Sequence, residues 1–240
     1  MPSPRFVAAL VRHGDYEQPE RVPSAHLPHP LTTQGRAQAR ALAAQLATEA
    51  SALELEIDAT IDVSSLLRAF ETGTLAAAEF GERGAGPTEV ATFPELAERS
   101  TGAGANLKIE AIEAAVRADP RYADLPPAWK AHPRYRLPLP GAESLMQAGA
   151  RVAAHVERRA HEAASWGDRD TLKIFVSHGG ALRHAAVCLG ALELQAVPGL
   201  TLRHCGYVLL EQIPNPDGGP LHWRQIGGEW KVRPLARARD

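Results

Sequence analysis

The chain has 240 residues, with 26 lysines and arginines against 28 aspartates and glutamates. This length suits one α/β domain, and the balanced charge excludes a strong field toward nucleic acid or anionic membranes. Cys188 and Cys205 are too few for a disulfide framework and lack zinc-site spacing, so we expect two small buried thiols. The first apolar run meets Arg12 too soon for a signal peptide or a membrane span, so we expect a cytosolic protein.

A predicted apolar strand from Phe6 to Val11 stops abruptly at Arg12, His13 and Gly14. Polar side chains are costly at the edge of a core unless a ligand compensates them, and a glycine lets the backbone approach an anion closely. Open α/β sheets bind their ligands at the carboxyl ends of strands. A phosphoryl group would satisfy both polar side chains.

The proline-rich stretch 15–30 shows no apolar periodicity, so we predict a loop that borders the pocket. Thr32 then predicts a helix N-cap. Apolar residues at helical spacing share one buried face of that helix: Ala39, Leu42, Ala43 and Leu46.

Two later stretches repeat the pattern of a strand that ends in polar residues. They are 58–63, followed by Ser64, Ser65 and Arg68, and 172–176, followed by Ser177, His178, Gly179 and Gly180. We expect Ser64 or Ser65 to cap the helix that carries Arg68. An arginine in a first helical turn is unfavourable unless an anion lies beside it, which favours a phosphate site. After His178 we predict a further helix over 181–189.

Three motifs therefore occur in order: Arg12-His13-Gly14, Ser64-Ser65-x-x-Arg68-Ala69-x-x-Thr72, and His178-Gly179. Together they resemble the histidine phosphatase (phosphoglycerate mutase-like) superfamily, branch 1, over roughly 6–208. The alternation of strands and helices predicts an α/β fold, a three-layer α/β/α sandwich with a mostly parallel sheet. We expect one such domain over 1–240, with a cap-like insertion at about 105–140.

A third strand is predicted at 90–93, and the stretch 96–102 after it resembles the segment that supplies the family's acid. The resemblance makes Glu98 the candidate acid. Glu95 is the alternative, because it lies in the same stretch after the third strand, 94–102.

The insertion begins with a predicted helix at 105–117, after which prolines break regular structure as far as Pro140. Its cationic side chains form a basic cluster: Lys130, His132, Arg134 and Arg136. That cluster is either a solvated loop face or a recognition site for an anionic substrate.

A long helix is predicted after Pro140, and we expect His155 and His161 on it to be surface or half-buried residues without a metal pattern. His204 stands where the family often has an asparagine, and its role stays open. Three strands are predicted at the end of the chain, at 207–213, 221–226 and 229–232. We expect Gly227-Gly228 to form a tight hairpin and the arginine-rich end after Val232 to be a solvated tail.

Phosphoryl transfer needs a nucleophile, cations for the transferring group and an acid for the leaving oxygen. A neutral imidazole attacks phosphorus without losing a proton, so we expect a phosphohistidine on His13. Guanidinium forks would bind the phosphoryl oxygens in place of a metal, and we expect neither metal nor cofactor. The expected catalytic residues are His13, Glu98 and His178, and the expected phosphate-binding residues are Arg12, Arg68 and Gly179.

Two alternatives to a phosphatase stay open. Mutases of this family carry a Ser-x-Trp-Asn run where this chain has 15–18, and we expect the Asp15 and Glu17 carboxylates to repel a second anionic group. A non-catalytic scaffold that binds phosphorylated ligands is the other alternative.

Gly179 stands where the acid-phosphatase branch of the superfamily has an aspartate, which disfavours that branch. The substrate is a phosphorylated metabolite or a phosphoprotein, we expect no nucleic-acid or membrane partner, and the oligomeric state stays open.

Overall fold

A computed structural model describes residues 4–84, 86–163, 169–213 and 221–233. Its strands are β1 (Phe6–Arg12), β2 (Glu56–Ile57), β3 (Thr60–Ser64), β4 (Glu89–Phe93), β5 (Thr171–Ser177), β6 (Leu200–Thr201), β7 (Tyr207–Ile213), β8 (His222–Gly228) and β9 (Lys231–Val232). The central sheet has the order β4-β3-β5-β1-β7-β8, with β2 beside β5. Strands β1 to β5 pair in parallel, whereas β7 and β8 are antiparallel.

The helices are α1 (Thr33–Ala52), α2 (Leu67–Glu82), α3 (Ile109–Ala118), α4 (Leu145–Ala163) and α5 (Gly179–Cys188). Successive residues of β1 face opposite sides of the sheet, so one side packs on α1 and α2 and the other on α4 and α5. This arrangement confirms the predicted three-layer α/β/α fold. Among the described residues, no helix combines the length and apolar character needed to cross a membrane.

The first helix forms as predicted. The Thr32 side chain accepts a hydrogen bond from the Gly35 N–H at 3.0 Å, which satisfies one of the free donors at the start of α1. The predicted apolar face of α1 is buried.

The segment between the third strand and α4 has a small apolar core of its own. Its helix starts at Ile109, later than predicted, because Gly102–Gly104 first form a 3₁₀ turn. The buried members of this core are Ile112, Val116, Trp129, Leu137 and Ala142.

The predicted serine cap on α2 is wrong. Leu66 is the N-cap residue, and no side chain caps this helix. Ser64 lies at the end of β3, where its hydroxyl accepts the Leu66 N–H at 3.2 Å and pairs with the His178 imidazole at 2.8 Å. Its hydroxyl is thus held before the helix begins.

The predicted glycine hairpin is also wrong. Gly227 and Gly228 lie within β8 and pair with β7, where the register shifts between Leu209 and Leu210. Gly228 has φ +65°, a backbone conformation that favours glycine. Strand β9 leaves this sheet and pairs with β6.

The exposure predictions for His155 and Cys188 are wrong. His155 is fully buried against Asp62, with Nε2 2.8 Å from a carboxylate oxygen, while His161 is exposed as expected. Asp62 of β3 points into the α4 face of the sheet and needs partners there, which His155 and Lys173 provide. Cys188 is exposed because it ends α5, whereas Cys205 is buried as expected.

Candidate active site

Three neighbouring parallel strands deliver the candidate residues to one edge of the sheet. Arg12 ends β1 and His13 follows it, His178 follows β5, and Arg68 lies in the first turn of α2 after β3. Since β3, β5 and β1 are adjacent, these ends meet. The ring centroids of His13 and His178 are 5.0 Å apart.

The turn after His13 is built around glycine. A Cβ atom on Gly14 would lie 2.8 Å from the Gly35 carbonyl oxygen, so this turn can pack against the start of α1 only without a side chain. The Gly14 N–H donates to Thr72 Oγ1 at 3.0 Å, and that hydroxyl donates to the Arg68 carbonyl at 2.6 Å. The turn is therefore fastened to the helix that carries Arg68.

The buried Arg68 guanidinium connects both histidines. Its Nε donates to His13 Nε2 at 3.3 Å, and one terminal nitrogen donates to His178 Nδ1 at 3.2 Å. The other terminal nitrogen donates to the Ala25 carbonyl at 2.9 Å. The guanidinium carbon lies 4.6 Å from the centre of the Tyr16 ring, a cation–π distance.

The surroundings of His13 determine which of its ring nitrogens carries a proton. Nδ1 lies 2.7 Å from the Gly14 carbonyl oxygen and must donate to it, which leaves a lone pair on Nε2. Burial lowers the pKa of His13 well below its ordinary value of 6.5, and the Arg68 and Arg12 charges lower it further. The imidazole is therefore neutral near neutral pH.

His178 is held behind Arg68. It accepts from Arg68 at Nδ1, so its Nε2 carries the proton and donates to Ser64 Oγ at 2.8 Å. Burial, followed by the Arg68 charge, lowers its pKa well below 6.5. His178 is fully buried and does not line the pocket, so it contacts the site through Arg68 and through the His13 ring, whose centroid lies 5.0 Å from its own.

The Glu98 side chain lies against the first turn of α5. Its carboxylate accepts N–H groups of Gly180 and Ala181 at 3.4 and 3.2 Å, and its own segment adds the Arg99 N–H at 2.9 Å. Glu98 lines the pocket. Glu95 does not, and its carboxylate lies 3.7 Å from Arg158. Geometry thus separates the two candidate acids.

Arg12 lies beside the other candidate residues and has a hydrogen-bond donor without a partner among the described residues. One terminal nitrogen donates to the Leu202 carbonyl at 2.8 Å, while Nε is buried without a hydrogen-bond partner among the described residues. Burial lowers the pKa of Arg12, which Glu98 opposes. A Cβ atom on Gly179 would lie 3.5 Å from this Nε, so the start of α5 approaches Arg12 closely.

A pocket of about 500 Å³ is lined by Arg12, His13, Arg68, Glu98 and Gly179. The prediction for the loop 15–30 is confirmed, because residues from Tyr16 to Ala25 form part of the wall. Of the predicted basic cluster, Lys130 lines the pocket and the other three residues do not. The sequence could not show which of these four side chains faces the pocket, because they lie on a segment without regular secondary structure.

Sequence reasoning singled out none of four further arginines of the pocket wall: Arg99, Arg183, Arg233 and, within the predicted pocket loop, Arg21. The first two had a signal, since Arg99 follows the candidate acid and Arg183 lies one helical turn after Gly179. Arg233 was expected in a solvated tail. It is exposed, but it also reaches the pocket, and the rest of that tail, 234–240, lies outside the described residues.

Asp15 and Glu17, whose carboxylates we expect to repel a second anionic group, do not line the pocket. The Asp15 carboxylate turns toward the start of α1 and accepts the Thr32 hydroxyl at 2.7 Å. Its second oxygen lies 3.3 Å from His204 Nδ1. Burial lowers the pKa of His204 to about 4, and its ring centroid lies 5.7 Å from that of His13. His204 therefore borders the site as a neutral residue.

Across the described ranges, no three histidine, cysteine, aspartate or glutamate side chains form a group that could hold a metal ion. The positive charge of the pocket comes instead from guanidinium and ammonium groups.

A family model described as histidine phosphatase superfamily, branch 1, matches residues 8–217. The chain belongs to this superfamily. Family membership places it with the phosphoric monoester hydrolases and confirms the resemblance drawn from the three motifs. Comparison with curated proteins finds no match.

Solved structures share the fold of this histidine phosphatase. A protein described as mycobacterial hydrolase 2 has a TM-score of 0.67 at 23% identity, covering 95% of this chain and 92% of its own. A mycobacterial glucosyl-3-phosphoglycerate phosphatase in complex with VO3 scores 0.64 at 23% identity, with 92% and 96% covered. A phosphoserine phosphatase variant from Entamoeba histolytica with phosphoserine scores 0.60 at 18% identity, with 93% and 96% covered.

Proposed function

We propose that this histidine phosphatase hydrolyses phosphomonoesters in two steps through a phosphohistidine on Nε2 of His13. One observation carries the proposal: the Nδ1–H of His13 is held by the Gly14 carbonyl, so Nε2 of the neutral ring carries the lone pair, which accepts from Arg68 Nε at 3.3 Å in the resting site. The lowered pKa of His13 maintains that neutral form, so the nucleophile needs no base to activate it.

In the first step, His13 Nε2 attacks phosphorus while the bond to the ester oxygen breaks. The leaving oxygen takes a proton from Glu98, which lies on the same pocket wall. Arg12 and Arg68 donate to the non-bridging oxygens, and the Gly179 N–H adds a donor from the start of α5. This charge compensation makes the proposed reaction independent of metal and cofactor.

His178 serves this step by holding a terminal nitrogen of Arg68, so we assign it a positioning role in the resting site. In the second step, water attacks the phosphohistidine and Glu98 accepts its proton. Inorganic phosphate leaves, and neutral His13 is restored.

A phosphoglycerate mutase is the second candidate function. A mutase must shield its phosphohistidine from water while the product reorients, and the exposed Lys130 and Arg233 on the pocket wall indicate access for water. The chain also lacks the Ser-x-Trp-Asn run of mutases. Free phosphate from 3-phosphoglycerate, without interconversion of phosphoglycerates, would favour the hydrolase.

We propose a phosphorylated small molecule as the substrate. The named neighbours support this choice, since one is called a glucosyl-3-phosphoglycerate phosphatase and another was solved with phosphoserine. A phosphoprotein is the alternative, and a panel of phosphometabolites and phosphopeptides separates the two.

The deciding experiment traps the intermediate. Rapid quench at alkaline pH, where phosphohistidine survives, followed by mass spectrometry should find phosphate on His13 during turnover of para-nitrophenyl phosphate. His13→Ala should lose both the adduct and turnover, vanadate should inhibit the wild type, and a chelator should not. A folded His13→Ala variant that retains full turnover would overturn the nucleophile, and wild-type protein without turnover would favour the scaffold.

A further inference from the structure

We propose that the substrate of this site carries a second anionic group, a carboxylate or a second phosphate, and that Arg233 binds it. This inference rests on the proposed phosphatase function and adds the substrate class. It assigns a binding role to a residue that lies far along the chain from the three motifs.

The pocket carries more positive charge than one phosphate needs. Besides Arg12 and Arg68, its wall includes Arg21, Arg99, Lys130, Arg183 and Arg233, whereas Glu98 is its one carboxylate among the described residues. Like charges gathered in a partly desolvated cavity repel one another. A phosphomonoester adds about two negative charges near neutral pH, which leaves the outer part of the pocket uncompensated.

On one side of the pocket, one of the cations has a carboxylate partner. Arg21 forms an ion pair with Glu110. Arg99 donates to the Lys130 carbonyl at 3.3 Å and lies 6.0 Å from the Trp129 ring centroid. Burial lowers the pKa of Arg99, and the Glu98 charge opposes that shift. Arg21 therefore does not require a further anion, whereas Lys130 on this side has no carboxylate partner among the described residues.

On the other side, near β6 and β9, neither Arg183 nor Arg233 forms an ion pair with a carboxylate of the described residues. Arg183 donates to three carbonyl oxygens, those of Gly179, Val197 and Leu200, at 2.9, 3.4 and 2.5 Å. These contacts fix the guanidinium without neutralising its charge. Burial, followed by the Arg233 charge, lowers the pKa of Arg183 to about 10, while the Glu98 charge opposes this shift. The two guanidinium groups are therefore within electrostatic range of each other.

The fold holds Arg233 at this place. Strand β9 pairs with β6, Leu200 opposite Val232 and Thr201 opposite Lys231, and the Arg233 N–H donates to the Gly199 carbonyl at 2.8 Å. Its side chain forms no hydrogen bond or ion pair with a described residue. The backbone is anchored, while the guanidinium keeps its donors for a ligand.

The lining beside Arg233 indicates what joins the two anionic groups. Leu194, Val197 and Pro198, all from the 3₁₀ helix before β6, add an apolar patch to the pocket wall. The substrate class is therefore a phosphomonoester whose carbon skeleton carries its second anion at a distance from the phosphate. Arg233 would bind that anion through its planar donor fork.

The test compares matched substrates and variants. Phenyl phosphates with a carboxylate at the ortho, meta or para position are paired with their neutral carboxamide analogues, and a bisphosphate series replaces the carboxylate by phosphate. We expect the wild type to favour at least one anionic series over its neutral analogue in kcat/KM by about tenfold, a difference of about 1.4 kcal/mol. Arg233→Gln should reduce this preference most at the ring position where the wild type shows it most strongly.

Arg203→Gln is the matched control, because Arg203 is exposed near the same strands but pairs with Glu229 at 3.7 Å and does not line the pocket. It should keep the wild-type preference. Equal turnover of anionic and neutral substrates by the wild type, or an unchanged preference in Arg233→Gln, would overturn the inference while leaving the phosphatase intact. Loss of the phosphohistidine signal in the wild type would instead overturn the proposed function.

Discussion

The pocket has two parts that are built differently. The phosphoryl end, Arg12, His13, Arg68 and His178, lies at the carboxyl ends of adjacent strands, and its side chains are largely or fully buried. The outer rim, Lys130, Arg183 and Arg233, comes from an irregular segment, a helix and the last short strand. Buried groups at the ends of sheet strands suit the chemical step, whereas the exposed Lys130 and Arg233 at the rim suit substrate selection.

The sharpest test of the phosphoryl end is Arg68→Lys, which keeps the charge and removes the planar fork. Lysine cannot donate to Ala25, His13 and His178 at once, so we expect kcat to fall about 100- to 1,000-fold even for a small aryl phosphate. Arg83→Lys, on the exposed end of α2 beside Glu79, should leave kcat unchanged. Near-wild-type turnover by Arg68→Lys would contradict the proposed role of the Arg68 guanidinium in binding the phosphoryl group.

Glu98→Gln should separate leaving groups. A poor alkoxide leaving group depends on protonation, so we expect turnover of alkyl phosphates to fall roughly 100-fold or more and that of para-nitrophenyl phosphate much less. Steady-state rates on the two substrate types measure the difference. If Glu95→Gln shows this selectivity instead, the acid is misassigned despite the position of Glu95 beside Arg158.

The rim should respond more weakly, and Lys130 tests our expectation that the cap segment 119–140 sets substrate choice. Neutralising Lys130, Arg134 and Arg136 together should raise KM for multiply charged substrates and spare a small aryl phosphate. Because only Lys130 lines the pocket, Lys130→Met should reproduce most of that effect, roughly fivefold. The double variant Arg134→Met with Arg136→Met serves as the comparison. An unchanged KM in the triple variant would contradict the cap's role.

The smallest effect concerns stability against pH. His13 and His178 have lowered pKa values in the folded protein and ordinary values near 6.5 when unfolded. Below that pH the unfolded chain binds protons that the folded chain does not, so the free energy of unfolding should fall as pH drops below 6.5. Denaturant titrations at several pH values measure the slope, which should be shallower in a folded His178→Gln variant. An equal slope would show that His178 titrates normally.

The sequence by itself determined the phosphoryl end because its groups lie in short contiguous motifs at strand ends. An apolar run that stops at Arg12 and His13 locates both a strand and a polar edge, and adjacent parallel strands necessarily bring such edges together. The same local patterns were sufficient for α1 and for the three layers, since burial on one face imposes a regular period on the chain.

Only the tertiary structure decided which rim cations reach the pocket and which carboxylates do not. Arg233 enters through the pairing of β9 with β6, a contact between short strands separated by the whole of β7 and β8. Asp15 leaves the pocket because the Thr32 hydroxyl and His204 attract its carboxylate. His155 is buried because Asp62, distant in sequence, needs a partner in the core. Such pairings depend on distances across the fold, which no local pattern of residues encodes.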